Sequence, residues 1–290
     1  MISNFLKNND SGVYSAAIFL SGTGVNAEKL LSERTAASHW KPVVLVSDRR
    51  ESAAERLGRT FGVPVVIHDL KEFYAEHGFT QTTLSTQEGR DARQAWTDAL
   101  RLKLTAYSID FGIFAGFIPL TNIVDDFPCL NIHPGDLLYR ENGERVLTGL
   151  HTIPVERALI RELPYLRSSV IVVENLRADR KNIDGGFILG VSAPVPIPWD
   201  DALREKVRLC VAEREGKQRK DHKGDFLSVF AAEMLEKLKY GGDLAVFPQI
   251  VEDFAAGCFA FDNGSDVVYY KGAACRTVEY SENQQPERLI

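Results

Sequence analysis

Short apolar runs alternate with segments of helical periodicity along the first 130 residues of the chain. The apolar runs predict strands over 14–20, 43–47, 63–67, 109–115 and 127–132. Between them, apolar residues recur at helical spacing and predict helices over 27–37, 52–60 and 91–105. This alternation predicts an α/β fold, with a Rossmann-like, mostly parallel sheet that carries helices on both faces.

The alternation stops after residue 133. Residues 135–150 show little periodicity and predict a long surface loop, a kind of segment that is often functional. The pattern then predicts a helix over 154–162 and strands over 169–174 and 186–194. We therefore predict an α/β domain over residues 1–200.

Residues 201–290 are predicted to form C-terminal helices and a small hairpin that pack on the same domain. The last helix is expected over 244–256, and the hairpin over 257–270 around Asn263-Gly264. The charged stretch 213–223 is interpreted as a solvated face or a linker. The polar tail after Arg276 is interpreted as disordered.

Amino-acid composition and net charge exclude several classes of protein. The 290 residues are 44% hydrophobic and 26% charged, as in ordinary globular chains. A net charge of −6 argues against a general nucleic-acid binder, and no apolar run is long enough to span a membrane. The four cysteines contain no C-x-x-C pair, which favours reduced thiols in the cytoplasm and no zinc site. The expected partners are small molecules; the sequence leaves a homo-oligomer open.

A glycine-containing turn joins the first strand to the first helix. Gly22, Thr23, Gly24, Val25 and Asn26 place backbone N–H groups at a helix N-terminus, where an anion such as phosphate binds readily. The same turn matches G-x-G-x-x-A, with Asp48 at the end of the next strand, which is typical of dinucleotide binding. A tight turn without any ligand is the third interpretation.

Three polar residues suggest a reaction. Asn131 and His133 are two positions apart near a strand end, so their side chains project from one face. Asp184 precedes two glycines on a turn and can complete the group. An amide, an imidazole and a carboxylate together suit stabilisation of an oxyanion and movement of a proton, as in acyl-group transfer. Taken singly, each residue also fits an ordinary turn or strand end.

These segments, in this order, resemble the folate-dependent formyltransferases, and within them the glycinamide ribonucleotide formyltransferases. The resemblance covers roughly residues 13–200, with a fainter similarity over 240–270. The segments that carry it are 20–26, 46–50, 62–64, 90–92, 114–117, 130–134, 149–152 and 183–186.

The resemblance implies 10-formyltetrahydrofolate as the donor and an amine as the acceptor, such as the purine precursor glycinamide ribonucleotide, without a metal. It implies that Asn131 and His133 bind the formyl oxygen. Asp184 would pair with His133 and take up the proton of the attacking amine.

The resemblance also implies two binding segments. The residues expected to bind the folate are Phe117, Ile118, Pro119, Leu120, Asn182 and Ile183. The turn from Gly22 to Asn26 would hold the acceptor's phosphate, and His151 would either contact the acceptor or cap the following helix. The alternatives are a 10-formyltetrahydrofolate hydrolase and a non-catalytic protein that binds folate or a nucleotide.

The chain departs from the family pattern at four places. Val25 replaces a polar residue of the phosphate loop, and Pro119 stands where an arginine is usual. The loop after His133 is lengthened, and a helical insertion lies around 212–240. We predict that formyl chemistry is retained and that the acceptor need not be glycinamide ribonucleotide.

Overall fold

The computed structural model describes residues 2–174, 184–262, 264–265, 267–281 and 285–290. The strands are β1 Ile2–Asn4, β2 Tyr14–Leu20, β3 Trp40–Ser47, β4 Val65–Ile67, β5 Phe111–Phe114, β6 Cys129–His133, β7 Arg140–Glu141, β8 Glu144–Arg145, β9 Tyr165–Leu166, β10 Ser169–Val172, β11 Ile188–Ser192, β12 Val195–Pro196, β13 Phe259–Asp262, β14 Val268–Tyr270, β15 Ala273–Cys275, β16 Thr277–Tyr280 and β17 Glu287–Leu289. The α-helices are α1 Val25–Glu33, α2 Ala54–Phe61, α3 Leu70–Glu76, α4 Gln87–Leu104, α5 Ile153–Ile160, α6 Asp201–Arg214, α7 Phe226–Leu238 and α8 Leu244–Ala255.

One large sheet organises the molecule. Its strand order is β17-β16-β11-β10-β6-β5-β2-β3-β4. β10 runs antiparallel to β6 and β11, and β17 runs antiparallel to β16, whereas the remaining strands share one direction. This arrangement confirms the predicted α/β fold with a mostly parallel sheet.

Strand β2 shows how the sheet is covered on both faces. Ala16, Ile18 and Leu20 pack with apolar residues of α1, α2 and α8. Ala17 and Phe19 face the opposite side and pack with residues of α3 and α4. The period of two along a strand therefore yields two cores, and the continuous apolar run arises because both faces are buried.

Within the described residues, no helix is long and apolar enough to cross a membrane.

Strand β1 and helix α3 are among the short elements that were not predicted from the sequence. Strand β1 pairs with β13 at the edge of a small antiparallel sheet, β1-β13-β14-β15, which is separate from the large sheet. Helix α3 begins after Asp69, whose side chain accepts hydrogen bonds from the backbone N–H groups of Lys71 and Glu72. Helix α3 has only seven residues, too few for apolar periodicity to show. The acid at position 69 followed by Glu72 was the available signal, since this spacing is typical of a capped helix start.

The predicted disorder of the tail after Arg276 is wrong. β16 joins the large sheet and pairs in parallel with β11. Val278 and Tyr280 are fully buried, and the Tyr280 hydroxyl donates to Asp253 over 2.7 Å. Gly190 of β11 makes room for this ring, because a Cβ there would lie 2.9 Å from it. Four residues with two polar side chains gave too little apolar signal to predict a buried strand.

The predicted hairpin near the C-terminus is present. β13 pairs with β14 in antiparallel fashion, with Phe259 opposite Tyr270. Asn263, at which the turn was predicted, lies outside the described residues.

Helices α5, α6 and α7 pack around a separate apolar cluster that includes Val155, Val207 and Leu227. Most of the charged stretch 213–223 is exposed, as expected, but Arg214 is not. Its side chain is 11% exposed and donates to Glu156 over 2.8 Å and to Asp225 over 2.7 Å. The stretch 213–223, which was interpreted as solvated, therefore contains one largely buried, ion-paired arginine.

Acid is expected to weaken this ion pair. Hydrogen bonds from Arg214 hold the pKa of Asp225 well below its usual range. A carboxyl with a lowered folded-state pKa contributes stability above its unfolded pKa of about 4 and loses it as the pH falls toward the folded-state pKa. We expect the free energy of unfolding, measured by urea titration from about pH 5 to about pH 2, to fall more steeply in the wild type than in Asp225→Asn.

The control is Asp201→Asn, which changes an exposed carboxyl on α6. This variant should keep the wild-type dependence on pH. Equal pH dependence in the wild type and Asp225→Asn would contradict a stabilising role for the pair. Arg214→Met should cost about 2–3 kcal/mol at pH 7, because it leaves two partly buried carboxylates without their cation.

Candidate active site

A cavity of about 460 Å³ opens where β5 and β6 end. Asn131 of β6, Ile171 of β10 and Asp184 line it, and Phe114 at the end of β5 adds an aromatic wall. Ligands of open α/β sheets bind outside the carboxyl ends of the strands, which is where this cavity lies. The structure thus brings Asn131 and Asp184, predicted from distant parts of the sequence, to one concave surface.

The segment predicted to bind folate forms one wall of the cavity. Phe117, Ile118, Pro119 and Leu120 all line it. Asn182 and Ile183, predicted for the same ligand, lie outside the described residues. The apolar wall beside the two polar groups matches the usual make-up of a small-molecule site.

Two arginines of α4 line another part of the cavity. Arg90 is exposed, whereas Arg93 is buried and donates from Nη1 to the Leu120 carbonyl over 2.8 Å. The Arg93 guanidinium lies 5.6 Å from the centre of the Tyr74 ring, and its Nε has no hydrogen-bond partner among the described residues. These two residues were not predicted from the sequence. Their spacing of three on a predicted helix, on the same face as Trp96 and Thr97, was the available signal.

His133 lies behind Asp184. The imidazole is buried, and its Nε2 is 2.7 Å from the Leu147 carbonyl oxygen. A carbonyl only accepts, so Nε2 carries the hydrogen of this bond. Nδ1 is 3.5 Å from an Asp184 carboxyl oxygen. His133 is therefore next to Asp184 as predicted, but its ring does not line the cavity.

Burial determines the charge of His133. Loss of solvation lowers its pKa, and the negative charge of Asp184 opposes this only in part. The imidazole is neutral at pH 7, with its hydrogen on Nε2. Its Nδ1 lone pair consequently faces the carboxyl group of Asp184, where it is placed to share a proton that Asp184 receives.

The lengthened segment after His133 closes over this pair. The Gly149 N–H donates to Asp184 over 2.9 Å. Arg145 of β8 donates to the Asp184 carbonyl and, over 2.9 Å, to the Gly186 carbonyl. The prediction of a long surface loop over 135–150 is wrong in this respect, because Leu137 and Leu147 are buried and a short β7–β8 hairpin forms. The apolar residues were present, but without periodicity they did not indicate burial.

No residue of the glycine-containing turn lines the cavity. Gly24 begins α1 with φ of 70°, and a Cβ there would lie 2.9 Å from Ala53 and Leu57. Gly22 and Thr23 are exposed, so their backbone is open to a ligand. Ser21, just before the turn, accepts a hydrogen bond from the Ile118 N–H over 2.9 Å. The predicted phosphate turn is thus joined directly to the predicted folate segment.

Asn26 of this turn faces a buried acid. Its side-chain N–H lies 3.4 Å from Asp243, which also accepts from the Ser168 hydroxyl over 2.5 Å. Burial raises the pKa of Asp243 to about 6. The residue ends a π-helical turn, Lys239–Asp243, a feature that is frequent at functional sites. Nothing in the sequence pointed to Asp243, since it is 217 positions from Asn26.

Neither Asp48 nor His151 lines the cavity. Asp48 is 3% exposed, and burial raises its pKa. A carboxylate that recognises ribose hydroxyls has to reach its ligand, so this burial counts against the dinucleotide interpretation. His151 is exposed, has φ of 55° and is not among the residues that line the cavity. Its neighbour Thr152 occupies the cap position of α5, where its hydroxyl donates to the Glu156 carboxylate over 2.9 Å instead of accepting from a backbone N–H of the first turn.

Within the described ranges, no group of three or more histidine, cysteine, aspartate or glutamate side chains is arranged to hold a metal ion. The polar groups that β6 and the following turn bring to this part of the cavity are the Asn131 amide and the Asp184 carboxyl, with the His133 imidazole behind Asp184.

The fold is that of the phosphoribosylglycinamide formyltransferases. The enzyme of that name from Coxiella burnetii is 17% identical, with a TM-score of 0.58, and the match covers 90% of this chain and 95% of that one. Glycinamide ribonucleotide transformylase 1 from Symbiobacterium toebii is 20% identical, with a TM-score of 0.57 and coverage of 89% and 95%. The enzyme from Anaplasma phagocytophilum is 17% identical, with a TM-score of 0.56 and coverage of 92% and 98%. No family model and no curated protein matches the sequence.

Proposed function

We propose that this protein transfers a formyl group from 10-formyltetrahydrofolate to the amine of a small acceptor. The observation that carries the proposal is that Asn131 and Asp184 line one cavity, with His133 directly behind Asp184. The apolar wall from Phe117 to Leu120 supports a ligand with a flat ring whose face packs on apolar side chains, such as the pterin. The shared formyltransferase fold supports the same assignment.

The reaction needs one hydrogen-bond donor to the formyl oxygen and one general base for the proton of the amine. As the amine nitrogen bonds to the formyl carbon, the formyl oxygen becomes negative and the nitrogen becomes positive. The Asn131 amide donates to that oxygen, a contribution of about 3–4 kcal/mol in comparable sites. Asp184 takes a proton from the nitrogen, after which the bond from the formyl carbon to the folate nitrogen breaks and that nitrogen is protonated.

His133 acts through Asp184 in this proposal. Its Nε2 hydrogen is engaged by the Leu147 carbonyl, so the imidazole is not free to donate to the formyl oxygen. Its Nδ1 instead stands 3.5 Å from the carboxyl group and shares the proton that Asp184 receives. This assigns His133 a different task from the direct oxyanion contact that the family resemblance implied.

The acceptor is proposed to bind at the turn from Gly22 to Asn26. The exposed backbone of Gly22 and Thr23 at the start of α1 suits a phosphate group. Asp243, beside Asn26, is proposed to hold the Asn26 side chain in position at this turn. Glycinamide ribonucleotide fits this chemistry. Because Val25 replaces a polar residue of the phosphate loop, a different acceptor is compatible with the site as well.

The two arginines of α4 suit the glutamate portion of the folate, which carries two carboxylates. Arg93→Met should weaken binding of 5-formyltetrahydrofolate about ten- to hundredfold, because one charge-assisted hydrogen bond is worth about 1.5–3 kcal/mol. The methionine retains apolar packing against Tyr74. Titration calorimetry measures the affinity, and a pteroate analogue without glutamate should bind the wild type and the variant equally.

Arg59→Gln is the control, because this arginine is 75% exposed and lies outside the cavity. Equal affinity of Arg93→Met and Arg59→Gln for the glutamate-bearing ligand would contradict the assignment of Arg93.

Turnover of 10-formyltetrahydrofolate tests the proposed function. Purified protein is incubated with this donor and a panel of primary amines, including glycinamide ribonucleotide, and the folate product is followed by absorbance. We expect product formation that depends on one amine. Release of formate without any amine would instead indicate the hydrolase, and binding without turnover would indicate a non-catalytic folate-binding protein.

A further inference from the structure

Helix α6 carries two stripes of residues, one of them buried and the other exposed. The buried stripe includes Val207 and Cys210, which pack in the apolar cluster shared with α5 and α7. The exposed stripe lies one position earlier and consists of Ala202, Lys206, Leu209 and Glu213. Steps of four, three and four residues keep these side chains on one side of the helix, a spacing typical of helices that pack against another helix. Leu209, in the middle, is 56% exposed.

The exposed stripe of α6 continues onto α7. The Lys206 Nζ lies 5.9 Å from the centre of the Phe226 ring, which joins the exposed sides of the two helices. Val229, one turn after Phe226 on α7, is also exposed. Large apolar side chains from two helices therefore lie in water on one side of the helical cluster. We define the α6–α7 face as Lys206, Leu209, Glu213, Phe226 and Val229.

The charges of this face are arranged about Leu209. Lys206 precedes Leu209 by three residues and Glu213 follows it by four, and neither forms an ion pair with a described residue. If two copies of α6 cross antiparallel at a two-fold axis beside Leu209, each Lys206 lies opposite the Glu213 of the other copy. The two leucines then meet at the axis, between two ion pairs. The stripe is thus complementary to itself, as the interface of a two-fold dimer has to be.

We propose that the α6–α7 face is a homodimer interface, in which α6 packs antiparallel against α6 of a second copy of this chain. A second copy supplies the matching charges and apolar side chains by symmetry. Since each copy offers only three large apolar side chains, the interface falls in the small size class, and we expect a weak, concentration-dependent dimer. The proposal does not depend on formyl transfer, because none of these residues lines the active-site cavity.

Sedimentation velocity of the full chain tests the interface. We expect the wild type to pass from monomer to dimer as its concentration rises from about 5 µM to about 500 µM. Leu209→Glu should raise the dissociation constant at least about tenfold, because it replaces the apolar contact at the axis by two adjacent carboxylates. Leu102→Glu is the matched control, since this leucine of α4 is 74% exposed and lies outside the face. It should keep the wild-type dissociation constant.

Reversal of the charges tests the antiparallel packing. Lys206→Glu and Glu213→Lys each place like charges opposite one another twice per dimer, and each should weaken association about five- to tenfold. The double variant Lys206→Glu/Glu213→Lys restores opposite charges and should return the dissociation constant to within about threefold of the wild type. Circular dichroism checks that all variants are folded.

Three results would overturn the proposal. The first is a wild type that stays monomeric throughout the concentration range, which would leave this face to a different protein. The second is equal weakening of association by Leu102→Glu and Leu209→Glu. The third is a folded double variant that associates as weakly as the two single charge reversals.

Discussion

Replacing Asp184 with asparagine is expected to lower kcat for formyl transfer by about two to three orders of magnitude. The amide is nearly the same size as the carboxyl group and still accepts from the Gly149 N–H, so the turn should keep its shape. It has no affinity for the proton of the attacking amine, and Nδ1 of His133 then has no carboxyl group through which to share that proton. The affinity for the folate, measured by calorimetry, should change little.

Asn131→Ala should show a similar loss of kcat, because it removes the one described amide near the end of β6 that lines the cavity. The control is Asn122→Ala, which changes another cavity-lining amide, beside Gln94 of α4. This control should retain kcat within a few-fold. If Asp184→Asn turns over as fast as Asn122→Ala, the proposed base is not Asp184, although the fold and the cavity would be unaffected.

Ending the chain after Arg276 is expected to prevent stable folding. The truncation removes β16, in which Val278 and Tyr280 are fully buried, and leaves β11 without its parallel partner. Burial of these two side chains and their cross-strand contacts contributes about 5 kcal/mol or more, against a total of about 5–15 kcal/mol for a typical domain. Far-ultraviolet circular dichroism and the fraction of soluble protein on expression measure the outcome.

Ending the chain after residue 281 is the matched control. It keeps β16 and removes the edge strand β17, whose residues are mostly exposed. This shorter deletion should leave a folded protein that is less stable than the wild type. Tyr280→Phe keeps the ring and removes one hydrogen bond to Asp253, at a cost of about 1–2 kcal/mol. A soluble, cooperatively unfolding chain that ends at Arg276 would contradict the structural importance of β16.

The elements that could be predicted from the sequence are those whose pattern is local. The apolar run over 14–20 coincides with β2, and the residues around Asn131 lie on β6. A strand buried on both faces needs consecutive apolar residues, and a long helix repeats its pattern over several turns, so both can be recognised in one sequence. The ordered motifs that resemble formyltransferases led to the correct fold for the same reason.

What could not be predicted depends on contacts between distant residues. Asn26 lies beside Asp243, on a π-helical turn that no local pattern indicates. His133 was expected to point at a substrate, yet the Leu147 carbonyl engages its Nε2. That bond is made by the chain's own lengthened segment, whose path follows from packing over Asp184 rather than from periodicity.

The position of β16 has a consequence for how the protein is made. The large sheet takes its strand beside β11 from residues 277–280, which follow every described α-helix in chain order. While these residues are still inside the ribosome, β11 has an open edge, and the ring that fills the space over Gly190 is missing. The nascent chain therefore completes this part of its sheet only after residues 277–280 have emerged, and until then its exposed edge is a natural target for chaperones.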